Sequence, residues 1–335
     1  MNPENEPTLD GRASGTGREG ATPDLPGRKL LPAPLRRRLR RQILAVLSRS
    51  APAPDYDTPV GDPGLFGPGS ITWKIHADFP SMMVGGVAAL LLQSLHPLAL
   101  AGVWDHSSFR RDVLGRLRNT TAFVARTTYA PRAPAEAAIA RVVEIHHQVR
   151  GIAPDGRPYR ADDPELLAWV HCAECWGFLQ AYQRICRVRI PPAQQDRYLQ
   201  EMARVAEALG ARALPGSLAE LHAFFDRVRP ELRFDVRTAE VLRILAAMPL
   251  PIPLAGPSRR VFIGAAAALL PGWALDLMGR PASQRLLDRA SAGALRLAAP
   301  SIRDAMGEGG LAWRACRRVG ADYAGLFRWK DDRAP

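Results

Sequence analysis

Asp163-Pro164-Glu165 opens a segment that stays apolar nearly all round its helical circumference as far as about Cys186. The opening has the chemistry of a helix start: an aspartate to accept free N–H groups, proline at the first helical position and an acid in the first turn. A helix without a polar face belongs in an interior. The rest of the chain must therefore wrap it, and that demands one large core rather than several small ones.

The wrapping material is also helical. Apolar residues recur at helical spacing over about 36–48, 80–95, 108–128, 134–150, 193–210, 237–248, 258–270, 283–298 and 301–318. Ser217 and Glu220 have the spacing of a capping box for a further helix. Pro154-Asp155-Gly156 marks a turn in the loop before Asp163. No strand pattern alternates with these helices, and neither GxGxxG nor a P-loop is present, so a nucleotide fold with a parallel sheet is not expected. The expected class is all-α: a disordered tail over residues 1–35, one helical domain over 36–320 and a C-terminal tail over 321–335.

Composition narrows the function classes. The chain has 335 residues, 47% hydrophobic, and a net charge of +12. Only Lys29, Lys74 and Lys330 are lysines, which leaves 42 arginines. They are spread along the helices, a pattern of coding bias more than of phosphate recognition, and nucleic acid is not expected as a partner. Four cysteines do not make a disulfide framework, so a reducing cytoplasm is the expected compartment. Arg36-Arg37-Arg38-Leu39-Arg40-Arg41 is followed by only about six apolar residues, short of the roughly seven to fifteen of a secretory signal. This helix reads either as a basic amphipathic element resting on an anionic membrane or as a solvated charged helix with one edge on the domain. The apolar stretches Met82–Val103 and Val261–Leu275 both contain breakers and read as buried helices, not membrane spans.

Several residues have chemistry to offer. His146 falls in one stripe with Ala135, Ile139, Val142, Val143 and Val149, while His147 is rotated by about 100° toward Glu144. An imidazole in an apolar interior serves either as an iron ligand or as a core histidine bonded to a carbonyl. Arg116, Asn119 and Thr120 share a helix face. Arginine there suits a propionate or bound oxygen, and the threonine hydroxyl either faces the same pocket or bonds back to its own helix. His96-Pro97 breaks the apolar helix, and Asp105 and Ser107 either orient an imidazole or cap the next helix. His171-Cys172-Ala173-Glu174-Cys175 lacks the second ligand pair of a zinc site, and covalent haem attachment needs histidine after the cysteines. No GxSxG elbow or di-iron ExxH pattern is present.

Read in order, these stretches resemble one family, the MpaB-type oxygenases that include the rubber oxygenases called latex-clearing proteins. The resemblance covers about residues 60–320. It is carried by Gly67-Pro68-Gly69-Ser70, Leu95-His96-Pro97, Gly102-Val103-Trp104-Asp105-His106-Ser107 and Arg116-Leu117-Arg118-Asn119-Thr120. Ile145-His146-His147-Gln148-Val149-Arg150-Gly151, Asp155-Gly156-Arg157-Pro158-Tyr159 and Asp163 through His171 complete it. The resemblance implies a globin-like helical core with non-covalent haem b, His146 as the axial iron ligand, and Arg116 and Thr120 in the pocket. It implies dioxygen as co-substrate and, in rubber oxygenases, cleavage of an isoprenoid carbon–carbon double bond. Those enzymes carry a lysine three residues after the arginine; here that position is Asn119. The expected substrate is therefore a smaller lipophilic molecule, isoprenoid or a secondary metabolite, rather than polyisoprene. A lipid-binding helical protein without turnover, or one resting on a membrane, is the alternative.

Overall fold

The computed structural model describes residues 29–47, 55–248 and 255–329. The disordered tail expected over 1–35 falls mostly outside them, as do residues 330–335 of the expected C-terminal tail. The described chain is helical almost throughout, as the periodicity predicts. The first helices are α1 (Ala33–Leu47), α2 (Ile71–His76), α3 (Phe79–Gln93), α4 (Pro97–His106), α5 (Val113–Tyr129) and α6 (Arg132–Gln148). A short antiparallel hairpin, β1 (Arg150–Ile152) and β2 (Pro158–Arg160), precedes α7 (Pro164–Cys186). Then follow α8 (Pro192–Ala208), α9 (Leu218–Val228), α10 (Val236–Ala247), α11 (Ala255–Ala267), α12 (Gly272–Leu277), α13 (Ala282–Met306) and α14 (Leu311–Val319). No single helix among the described residues is long and apolar enough to cross a membrane.

Helix α7 is buried on nearly every side, from Leu166 to Cys186. Its start is the predicted one: Asp163 accepts from the N–H groups of Glu165 at 2.8 Å and Leu166 at 3.2 Å. Ser217 accepts from the Glu220 N–H, but Glu220 reaches back to the Gly216 N–H at 2.7 Å instead of closing the box on Ser217.

The tightest packing is between α3 and α7, where Gly85 and Gly177 meet. A Cβ at Gly85 would stand 2.8 Å from the Gly177 carbonyl oxygen, and one at Gly177 would meet the Gly85 carbonyl oxygen and, at 3.1 Å, the Ala89 nitrogen. The two backbones touch directly. At one end, Gln93 Nε2 donates to the Val170 carbonyl at 3.1 Å. At the other, Arg303 from α13 reaches the buried Asp78, the N-cap of α3, at 2.5 Å, and the Cys186 sulfur at 3.3 Å.

Beyond the short helices α2 and α12, which the spacing does not predict, the structure departs from the predicted elements at four places. The residues 97–106 form a helix of their own, because Pro97 starts α4 at a bend of 108° after α3. The loop before Asp163 contains the hairpin, too short to register as alternation. The predicted helices 283–298 and 301–318 are not divided at Pro300: α13 runs through it to Met306, and the break falls at Gly307–Gly310. Proline inside a helix costs about 3 kcal/mol; here buried Ala299 and the Arg303–Asp78 pair flank it and hold the turn. Finally, residues 321–329 are not a loose tail. Leu326 and Phe327 are buried with Tyr56, Trp73 and Tyr129 in a second core, and Trp329 Nε1 donates to the Tyr182 hydroxyl at 3.0 Å.

Gly177→Ala is expected to destabilise the protein by about 1–3 kcal/mol, the usual cost of overpacking a filled contact, whereas Ala substitution at the open Gly293 should cost far less. Urea denaturation of the two variants checks this.

Candidate functional site

Helix α6 buries Ala135 and Ile139 and half-buries Val142, Val143 and His146, the stripe that its spacing predicts. His146 stands in the last turn. Its Nδ1 is buried and has no hydrogen-bond partner among the described residues. Burial first, then the neighbouring Arg116 and His147 charges, hold its pKa below the ordinary histidine value, against the pull of Asp162. The imidazole is therefore neutral at physiological pH and offers a free lone pair.

The adjacent His147 has the opposite fate. Its Nδ1 lies 3.0 Å from Asp162, which also accepts two bonds from Arg160 at 3.0 and 2.8 Å. The hairpin supplies both residues, and it is itself seated on α4. Tyr159 packs so closely over Gly151 that a Cβ there would lie 2.5 Å from the phenol oxygen. The Tyr159 hydroxyl donates to Asp105 at 2.7 Å; burial and that carboxylate push its pKa up to about 12. Asp105 is thus a clamp on the hairpin, and neither orients an imidazole nor caps the next helix. Ser107 caps the turn over 108–110, and Asp112 caps α5.

Helix α5 brings Arg116 to His146. The guanidinium is half-buried, and burial lowers its pKa while Glu174 opposes that shift. Asn119 and Thr120 are exposed, and the Thr120 hydroxyl donates to the Arg116 carbonyl at 3.2 Å. That is the back-bond to its own helix that a helical threonine makes. The structure therefore joins His146 with Arg116 and turns Thr120 outward.

Glu174 is the site residue that reading the sequence missed. It is the one carboxylate of α7 beyond the first turn, on a helix otherwise apolar almost all round. That isolation was the available signal. Burial pushes its pKa up to about 7, against the pull of Arg116 and of the Gln93 amide, which both favour the charged form. Arg116 thus stands electrostatically between a neutral imidazole on α6 and a carboxyl on α7 that titrates near neutrality.

His76, His96, His171 and the four cysteines are buried in the core, while His106 and His222 are exposed. His76 bridges Thr128 Oγ1 at 2.9 Å and the Tyr198 hydroxyl at 3.0 Å, and burial pulls its pKa down to about 3. His96 is buried against the Trp169 ring; like His146 it has a buried Nδ1 with no partner among the described residues, but its Nε2 lies 3.9 Å from Glu231. His171 Nε2 lies 3.5 Å from Cys175 Sγ; burial pulls His171 down to about 4 and pushes Cys172 and Cys175 up, so both thiols stay protonated. Among the described residues no three His, Cys, Asp or Glu side chains converge as a metal site.

A family model described as "ER-bound oxygenase mpaB/B'/Rubber oxygenase, catalytic domain" matches residues 73–327. That span takes in α3 to α14 and every residue of the His146–Arg116–Glu174 site. No curated protein and no solved structure matches the chain.

Because the folded state holds the Glu174 proton more tightly than the unfolded chain, its contribution to stability is greatest below pH 4.5 and is lost as pH rises to about 7. Glu174→Gln should flatten that slope and leave the variant more stable than the parent above pH 7, by at most about 3 kcal/mol. Thermal unfolding between pH 5 and pH 8 reads the difference.

Proposed function

This chain belongs to the ER-bound oxygenase mpaB/B'/rubber oxygenase family and is on that ground an oxidoreductase of the oxygenase class; we propose that it works with haem b and dioxygen on a small lipophilic substrate. The observation that carries the haem assignment is the buried, unpartnered Nδ1 of a neutral His146 beside Arg116. A buried polar atom left unpaired costs free energy and calls for an explanation, and neutral imidazole is the form that binds iron. The donor set fits the group: one imidazole for iron and one guanidinium for a propionate.

Haem, when bound, would supply the iron that activates dioxygen, with substrate oxidation at a carbon–carbon double bond as in the rubber oxygenases. The protein's own part is positional. His146 would hold iron on one side. His147 is held outward by its bond to Asp162. Arg116 would orient a propionate or an oxygen ligand through charge-assisted bonds. Thr120 would join the pocket only by releasing its bond to the Arg116 carbonyl. The Glu174 carboxyl holds a proton near neutral pH within reach of Arg116's field. Asn119 is neutral and exposed where rubber oxygenases carry lysine, and this favours a smaller molecule over polyisoprene. Four buried, unpaired thiols fit a reducing compartment, the cytoplasm.

The protein produced in haem-supplemented cells should show a Soret band, and His146→Ala should lose it while keeping the parent's helical circular dichroism. A folded His146→Ala variant that stays fully haem-loaded would overturn the ligand assignment. A folded parent with no band would favour a lipid-binding protein without turnover.

A further inference from the structure

Helix α1 is fastened to the domain along one edge only. Arg36 pairs with Asp304 at 3.5 Å, Arg40 donates to the Glu308 carbonyl at 2.5 Å, and the N–H groups of Leu30 and Leu31 bond Asp304 at 3.0 and 2.8 Å. At the other end Arg118 of α5 donates to the carbonyls of Ala45 and Val46. Leu39, Ile43 and Val46 lie on the half-buried edge. The outward edge consists of Arg37, Arg38 and Arg41 with Leu44, at the i, i+1, i+4, i+7 spacing of a single face. The helix contains no acid, and among the described residues none of these three arginines takes part in an ion pair. Arg37 and Arg41 border an open concavity of about 500 Å³.

Helix α13, on which α1 packs, adds the complementary feature. Its inner face is Asp288, Ala292, Leu295, Ala299 and Arg303. Its outer face carries Leu286, Leu287 and Leu297, which are 65%, 60% and 82% exposed, with Ala290, Ala294 and Ala298 between them. An apolar stripe of this kind on a solvent face marks an interaction surface.

We infer that these two helices form a docking face for an anionic lipid bilayer, with Arg37, Arg38 and Arg41 taking lipid phosphates and Leu286, Leu287 and Leu297 entering the acyl boundary. The charge complementarity selects the occupant. A second copy of the chain apposed about a twofold axis through this face would set its arginines against their own copies. A nucleic acid would use the arginines but leave the leucine stripe uncovered. Exposed basic charge on one helix and an exposed apolar stripe on the helix it packs against are the two components of an interfacial anchor, and such an anchor would keep the protein where a lipophilic substrate partitions.

The inference does not rest on the oxygenase reading, and its test reads membrane binding alone. The full chain is sedimented with phosphatidylcholine vesicles, with and without phosphatidylserine, at rising salt. Binding to the anionic vesicles only, weakening as salt rises, is the expected result. Each arginine near such a surface is worth about 1 kcal/mol, roughly a factor of five, so the triple Arg37→Gln, Arg38→Gln, Arg41→Gln variant should bind about a hundredfold more weakly. Leu286→Gln with Leu287→Gln should weaken binding while leaving its salt dependence intact. All five side chains are exposed, and unchanged circular dichroism verifies folding. Equal binding by the triple variant, equal binding to vesicles without phosphatidylserine, equally tight binding to duplex DNA, or a concentration-dependent dimer dissolved by the leucine changes would each overturn it.

Discussion

Everything in this fold is placed relative to the contact between α3 and α7. Gly85 and Gly177 let two backbones meet with no side chain between them. The remaining faces of α7 can then be covered by α8, α13, α2 and α4. A helix buried on all sides has no solvent face to absorb error, so its rotation and height must be fixed from both ends. Asp78, Arg303 and Cys186 fix one end through buried polar bonds, and the Gln93–Val170 bond fixes the other. The same rotation that buries Trp169, Cys172 and Trp176 aims Glu174 toward Gln93 and Arg116. The site's third member is thus a consequence of how α7 is seated.

The hairpin performs a comparable task on α6. Two adjacent histidines end that helix, about 100° apart around its axis. Asp162 and the strand it follows claim His147, while the strand itself is held through Tyr159 and Asp105 on α4. His146 is left on the interior side with Arg116 and an unpaired nitrogen. Discrimination between chemically identical neighbours is therefore made by a carboxylate sixteen residues downstream of His146.

Much of this was legible in the sequence because it is written in local periodicity. The all-round apolar character of Asp163–Cys186, the His146 stripe and the capping Asp163 are short-range patterns, and the structure reproduces them. What was not legible depends on distant partners. Helix α13 continues through Pro300 beside the Arg303–Asp78 pair, whose two members lie more than two hundred residues apart. The seat of Leu326 and Phe327 requires Tyr56 and Trp73. The hairpin is three residues a side, below the length at which alternation can be recognised. Thr120 illustrates the reverse case: its face on α5 was read correctly, but the choice between pocket and back-bond is made by rotamer, which spacing does not encode.

Arg116 joins these separate lines. A guanidinium that sits partly buried without a carboxylate in direct contact is costly, because desolvation weakens the charged form. Its neighbours are arranged to tolerate it: His146 responds by staying neutral, and Glu174 gains from the same charge a partial release from its own burial penalty. Removing Arg116 would change the protonation balance of both His146 and Glu174, since the shift of each contains its field as a contribution. A cation kept short of direct pairing, beside an imidazole with a free nitrogen, is poised to receive an anionic group from outside the chain. That is the arrangement a propionate-bearing, iron-containing ligand would complete.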